Sequence, residues 1–179
     1  MKKFIAVFVT LLVFSVSCFA LDYPRWENMP VKVYIPKGNK YSELMAKAFN
    51  EWQTTSGGVV KFRYVTQKED SDIYINFTRF LGYTEQGAHA LGYTHYNVKP
   101  NGFYKQNSID IDTTKYFGDK SNKRGESIRI YYVMLHEIGH AVGLPHSDDE
   151  NSLMYYLYDK KEQRSITKSD IEALKKKYR

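Results

Sequence analysis

Residues 136–147 read His-Glu-Ile-Gly-His-Ala-Val-Gly-Leu-Pro-His-Ser, and this spacing restricts the chain more than any other feature of it. Histidines four apart on a helix share a face, because one turn takes about 3.6 residues, so His136 and His140 can grip one cation together. Gly143 lets the chain leave the helix through a conformation that other residues avoid. Leu144 and Pro145 then carry it back, so that His146 meets the same ion from a third side. Three neutral nitrogens with a fourth position open are what a catalytic zinc requires, whereas a structural zinc is closed by four protein ligands. Glu137 stands beside the open position, where it can take a proton from water held there. Three of the five histidines of the chain fall in this one register.

Met1 to Ala20 has the make-up of a secretory signal: Lys2 and Lys3, an apolar run from Phe4 to Val16, then Cys18-Phe19-Ala20. It is too short and wrongly flanked for a membrane span. We therefore expect a signal peptide over 1–20 and a secreted or periplasmic single domain over 21–179. Ser17-Cys18 also admits a lipoprotein reading with Cys18 acylated, although Ser15 stands where a leucine is usual. Cys18 is the only cysteine, so a chain cut after Ala20 has no disulfide and must stand on its core and its metal. The formal charge of +6 falls to about +4 without Lys2 and Lys3. That excess is spread out, apart from Lys175-Lys176-Lys177, which reads as a solvated helix face rather than a nucleic-acid site.

Alternation predicts strands at Val31–Ile35, Val59–Val65, Ile73–Phe77, Ala88–Tyr96 and Ser108–Asp112. Leu44, Ala48, Phe49 and Trp52 share one face of a helix expected from Tyr41 to Gln53. The helix carrying the histidines is expected from Ser127 to Val142, with Val133, Met134, Ile138 and Ala141 directed to the core. A last helix opens at Thr167, where Thr-Lys-Ser-Asp has the form of a capping box.

The stretch Val133 to Tyr156, with His-Glu-x-x-His-x-x-Gly-x-x-His followed by Ser147 and by Ser152-Leu153-Met154-Tyr155, resembles the catalytic core of a matrixin, a branch of the metzincin clan. Tyr23-Pro24-Arg25-Trp26, Ser71 to Phe77 and Ile166 to Ile171 are similar to matrixin segments as well. The resemblance implies an α+β fold with a twisted, mainly parallel sheet of about five strands, an antiparallel edge strand and three helices. The active-site cleft would lie above the zinc helix. It implies that Met154 forms an apolar floor under one catalytic zinc. It also implies that an extended peptide pairs with the edge strand Ala88, His89, Ala90, Leu91, Gly92, Tyr93 and Thr94.

The chain departs from matrixins in three ways. The ligands for a second, structural zinc are incomplete: His89 and His95 lack their partners, and Ser108 stands where a histidine is expected. Calcium at Asp110 and Asp112 is an open alternative. No cysteine-bearing pro-region and no C-terminal accessory domain are evident, so restraint would fall to a separate protein inhibitor or to export. Tyr156 stands where matrixins carry proline, whereas astacins and serralysins place there a tyrosine that binds zinc. Tyr156 is thus a candidate fifth ligand and oxyanion stabiliser. These features together lead us to expect a monomeric secreted zinc endopeptidase with Glu137 as general base and acid. A non-catalytic zinc-containing binding or adhesion protein on the same scaffold is the alternative, and hydrolysis of something other than protein shares every residue.

Overall fold

A computed structural model of the chain describes residues 24–84, 87, 89–114, 123–156 and 164–179. The expected signal segment and residues 157–163 lie outside them. Five strands form one sheet: β1 (Val31–Tyr34), β2 (Phe62–Tyr64), β3 (Ile73–Thr78), β4 (Gly92–Val98) and β5 (Tyr104–Asp112). Their order across the sheet is β2-β1-β3-β5-β4. The β1–β2, β1–β3 and β3–β5 pairs are parallel, and only β4 runs antiparallel, along the edge beyond β5. Three helices accompany the sheet: α1 (Ser42–Thr55), α2 (Lys123–Ala141) and α3 (Lys168–Lys177). This is the mainly parallel α+β arrangement that the sequence led us to expect.

α1 buries Met45, Ala48, Phe49 and Trp52. It packs on α2, which lies against β4 and β5. Val31, Val33, Ile73, Ile75, Ile109 and Ile111 from the sheet meet Ile130, Met134, Leu135 and Ile138 from α2 in one core. Alternation along β1 and β3 places every second side chain there. The Trp52 indole N–H donates to the Leu135 carbonyl at 2.8 Å and fixes α1 to α2. Among the described residues no helix is long and apolar enough to cross a membrane.

Several expected boundaries moved. β2 begins at Phe62 rather than Val59, because Gly57 and Gly58 turn with positive φ and the Phe62 N–H is taken by Gln53 Oε1 at 2.8 Å. α2 starts four residues before Ser127. β4 starts at Gly92 rather than Ala88: Ala90 N–H donates to the Gly82 carbonyl at 3.0 Å and His89 bridges to Tyr83. Those residues therefore belong to a turn-back against the segment from Leu81. Ala88 lies outside the described residues. The capping box of α3 is present at Thr167, with its side chain and that of Asp170 exchanging bonds.

Candidate metal centre

α2 ends beside the histidines in a Schellman motif. Gly143 N–H donates to the His140 carbonyl at 2.8 Å, and Leu144 N–H donates to the Gly139 carbonyl at 2.9 Å. The motif needs a left-handed residue, and Gly143 has φ of +98°. Once turned, the chain offers the Leu144 carbonyl to His140 Nδ1 at 2.8 Å. The helix terminator thus orients a histidine. His136 Nδ1 is held in the same way by the Leu153 carbonyl at 2.8 Å. A carbonyl can only accept, so both rings carry their hydrogen on Nδ1 and leave Nε2 as a lone-pair donor.

The candidate ligand atoms of His136, His140 and His146 all lie within 4.8 Å of one another. A tetrahedral zinc with bonds of about 2.0–2.1 Å sets its ligands roughly 3.3 Å apart, so modest closure suffices to bind it. Burial holds the imidazoles in the neutral, ligating form: it lowers His136 to about 4 and His140 to about 3. Desolvation lowers His146 as well. Among the described residues this is the only convergent group of three or more His, Cys, Asp or Glu side chains.

Met154 packs against α2 at Gly139, one residue before His140. Its Sδ presses on Gly139, where a Cβ would be only 2.3 Å away. The turn bearing it is tied down by the buried Asp170, which accepts from Ser152 Oγ at 2.5 Å and from Leu153 N–H at 3.2 Å. Ser147 N–H donates to the Met154 carbonyl at 2.8 Å, joining the residue after the third histidine to that turn. The carbonyls at the end of α2 are satisfied from distant parts of the chain. Tyr104 OH reaches that of His140 at 3.4 Å, Trp26 Nε1 and Asn107 Nδ2 that of Ala141, and Tyr178 OH that of Val142 at 3.0 Å.

Glu137 follows the first histidine and is almost wholly buried. Desolvation raises its carboxyl to about 7, a hydrogen bond from Thr94 opposes the rise, and the charge of Asp110 adds to it. Gly92, Tyr93 and Thr94 lie in β4 beside it, while His89, Ala90 and Leu91 precede the strand. Tyr156 is more than half exposed, with its ring 6.5 Å from that of His146 and 4.8 Å from that of Tyr155.

The remaining histidines face separate aspartates: His95 Nε2 lies 3.1 Å from Asp110 Oδ2, and His89 Nε2 lies 3.5 Å from Asp112 Oδ2. The oxygens considered for calcium are engaged by protein donors. Asp110 accepts from Asn76 Nδ2 at 2.7 Å, and Asp112 accepts from Thr114 and Leu81. Sequence reasoning missed the role of Gly139. A glycine inside a helix costs about 1 kcal/mol against alanine, and that anomaly was the available signal.

Comparison with known proteins agrees with this geometry. The family model described as Matrixin matches residues 29–179. A putative matrix metalloproteinase of Trichoplusia ni ascovirus 2c is 30% identical over 128 residues, covering 65% of this chain and 25% of that protein. Interstitial collagenase B of Mus musculus is 27% identical over 155 residues, covering 80% of this chain and 31% of its own length. Matrilysin of Rattus norvegicus is 36% identical over 70 residues, covering 38% of this chain and 25% of its own. The chain thus spans between a quarter and a third of the length of these relatives. With the motif, the strand order and a family match over nearly all the described residues, the chain belongs to the matrixin family.

Proposed function

We propose that the protein is a secreted zinc endopeptidase, with His136, His140 and His146 holding the ion and Glu137 moving the proton. One observation carries this reading: three imidazoles converge, two of them with Nε2 left as a lone-pair donor, next to a buried carboxylate. Zinc held by these histidines would supply Lewis acidity toward the scissile carbonyl and toward water. Glu137 accepts the proton from that water and delivers it to the departing nitrogen. Burial pushes that carboxyl above the ordinary carboxylate range, which makes it readier to take up a proton. The exposed outer edge of β4, from Gly92 onward, offers backbone groups to an extended peptide, which would add to the sheet as a further antiparallel strand. Tyr156 stands within reach of a small swing toward the ion and can donate to the developing oxyanion. Export rests on the make-up of residues 1–20.

Glu137→Gln is the direct test. We expect zinc to be retained and cleavage of denatured casein or gelatin to fall at least about 10²-fold. Wild-type cleavage by the purified variant would remove Glu137 from the mechanism. Chelator-sensitive cleavage also separates this reading from a binding scaffold. Tyr156→Phe should lower kcat more than it changes KM, and unchanged turnover would confine Tyr156 to the wall of the cleft.

A further inference from the structure

β4 meets Glu137 at two positions on one face of the strand, residues 92 and 94. At position 92 there is no room. A Cβ on Gly92 would lie 2.6 Å from Glu137 Cγ, 2.7 Å from its Oε1 and 2.8 Å from Val133 Cγ1. At position 94 a hydroxyl reaches across. Thr94 Oγ1 lies 2.7 Å from Glu137 Oε2 and 3.0 Å from the Glu137 carbonyl oxygen, and Thr94 is itself buried. The hydroxyl has one hydrogen to give, so it is shared between two acceptors of residue 137, with the shorter contact to the carboxylate.

We propose that Thr94 is a positioning residue that holds the Glu137 carboxylate in its working orientation, with Gly92 providing the space in which that orientation fits. The inference rests on the reading of Glu137 as the proton-moving group. The physical need is plain. A glutamate has three rotatable bonds, and placing its oxygen about 1 Å wrong is enough to cost roughly 100-fold in rate. The backbone of α2 fixes only Cα. Packing of Cγ and Oε1 against Gly92 blocks rotamers on one side, and the Thr94 bond holds Oε2, so the two strand residues together fix the plane of the carboxylate. The strand that would receive the substrate is then the one that sets the base, so both are referred to one rigid element. β-Branched threonine suits this task, because its χ1 is stiff in a strand.

The test uses zinc-loaded full-length protein and a fluorogenic peptide that the wild type cuts. Thr94→Val keeps shape and removes the hydroxyl, and Thr94→Ser keeps the hydroxyl. We expect Thr94→Val to lower kcat about 10- to 100-fold with KM within about twofold and zinc stoichiometry unchanged. Thr94→Ser should recover to within about threefold of wild type. On the Glu137→Gln background, Thr94→Val should cost nothing further, since the group that it positions is gone. Crystals of zinc-loaded Thr94→Val should show the Glu137 carboxylate in more than one rotamer, and those of Thr94→Ser in one. If valine disturbs folding, Thr94→Ala removes the same hydroxyl at smaller volume. Thr94→Val at wild-type kcat, beside an inactive Glu137→Gln, would overturn the role of Thr94 and leave that of Glu137 intact. A serine variant as slow as the valine variant, a single rotamer in the valine crystals, or a full multiplicative loss on the Glu137→Gln background would overturn it too. An active Glu137→Gln protein would instead remove the reading beneath it.

Discussion

Gly139→Ala separates helix propensity from packing, because the two predict opposite signs. Propensity alone says that alanine at a mid-helix glycine stabilises by about 0.8–1.0 kcal/mol. In this structure the new Cβ would lie 2.3 Å from Met154 Sδ and 3.1 Å from both Met154 Cε and Trp52 Cζ2. Unstrained contacts need roughly 3.5–4.0 Å, so the sulfur must retreat by more than about 1 Å. Trp52 cannot yield, being fully buried and bonded to the Leu135 carbonyl. The main chain of Met154 is held on both sides, by Ser147 N–H on its carbonyl and by Ser152 Oγ on its N–H. Overpacking of this kind typically costs about 1–3 kcal/mol. With rigid neighbours we take the upper half of that range and set the propensity gain against it, which leaves a net loss of about 1–2 kcal/mol. Urea unfolding of zinc-loaded and zinc-free protein should show the midpoint falling with an unchanged m value. Met154→Ala alone should cost about 2–5 kcal/mol. In the double variant the clash with Met154 is gone, so the two losses should fall short of their sum by about 2 kcal/mol or more. A Gly139→Ala protein more stable than wild type by about 1 kcal/mol would refute the reasoning.

Gly143→Ala should destabilise by at least about 1–2 kcal/mol, since φ of +98° is strained for alanine and its Cβ would lie 2.5 Å from the Pro24 carbonyl oxygen. It should also weaken zinc binding about 10- to 100-fold, because the Leu144 carbonyl then leaves His140 Nδ1; competition with a chromophoric chelator measures this. The zinc-free protein should show two opposed pH effects. His136 and His140 have folded values lowered to about 4 and 3, so their contribution is present above about 6.5 and is lost as pH falls toward those values. Glu137 is raised to about 7, so its contribution is complete below about 4.5 and is lost as pH rises through 7. Urea midpoints in chelator across pH 4–8 should therefore rise and then dip, and Glu137→Gln should abolish the dip and steepen the rise above about 4.5.

The clustering of His136, His140 and His146 was legible because its logic is local: two residues on one helical face, then a glycine that turns the chain back. The α3 start was legible for the same reason, since Thr167 and Asp170 cap within a single turn. The core face of α1 came out nearly right, with Met45 rather than Leu44 fully buried, because helical spacing fixes a stripe but not its edges. What letters withheld is what depends on distant pairing. The start of β4 is set by Gly82 and Tyr83 folding back on Ala90 and His89, contacts that no strand pattern encodes. Thr94 and Glu137 are 43 residues apart, and nothing in either segment announces the other. The aspartates of β5 alternate as a cation site would, yet their oxygens serve neighbouring side chains and backbone.

Trp26 and Tyr178 come from opposite ends of the fold, yet both hydrogen-bond carbonyls within two residues of His140. Tyr178 OH also accepts from the Trp26 N–H at 3.3 Å, and burial raises the Tyr178 hydroxyl to about 12, so that clasp keeps its hydrogen at any physiological pH. A growing polypeptide consequently reaches a fully braced helix α2 only when Tyr178 has been made. Loss of either aromatic residue would slacken the same turn, so the setting of His140 depends on two positions 152 residues apart.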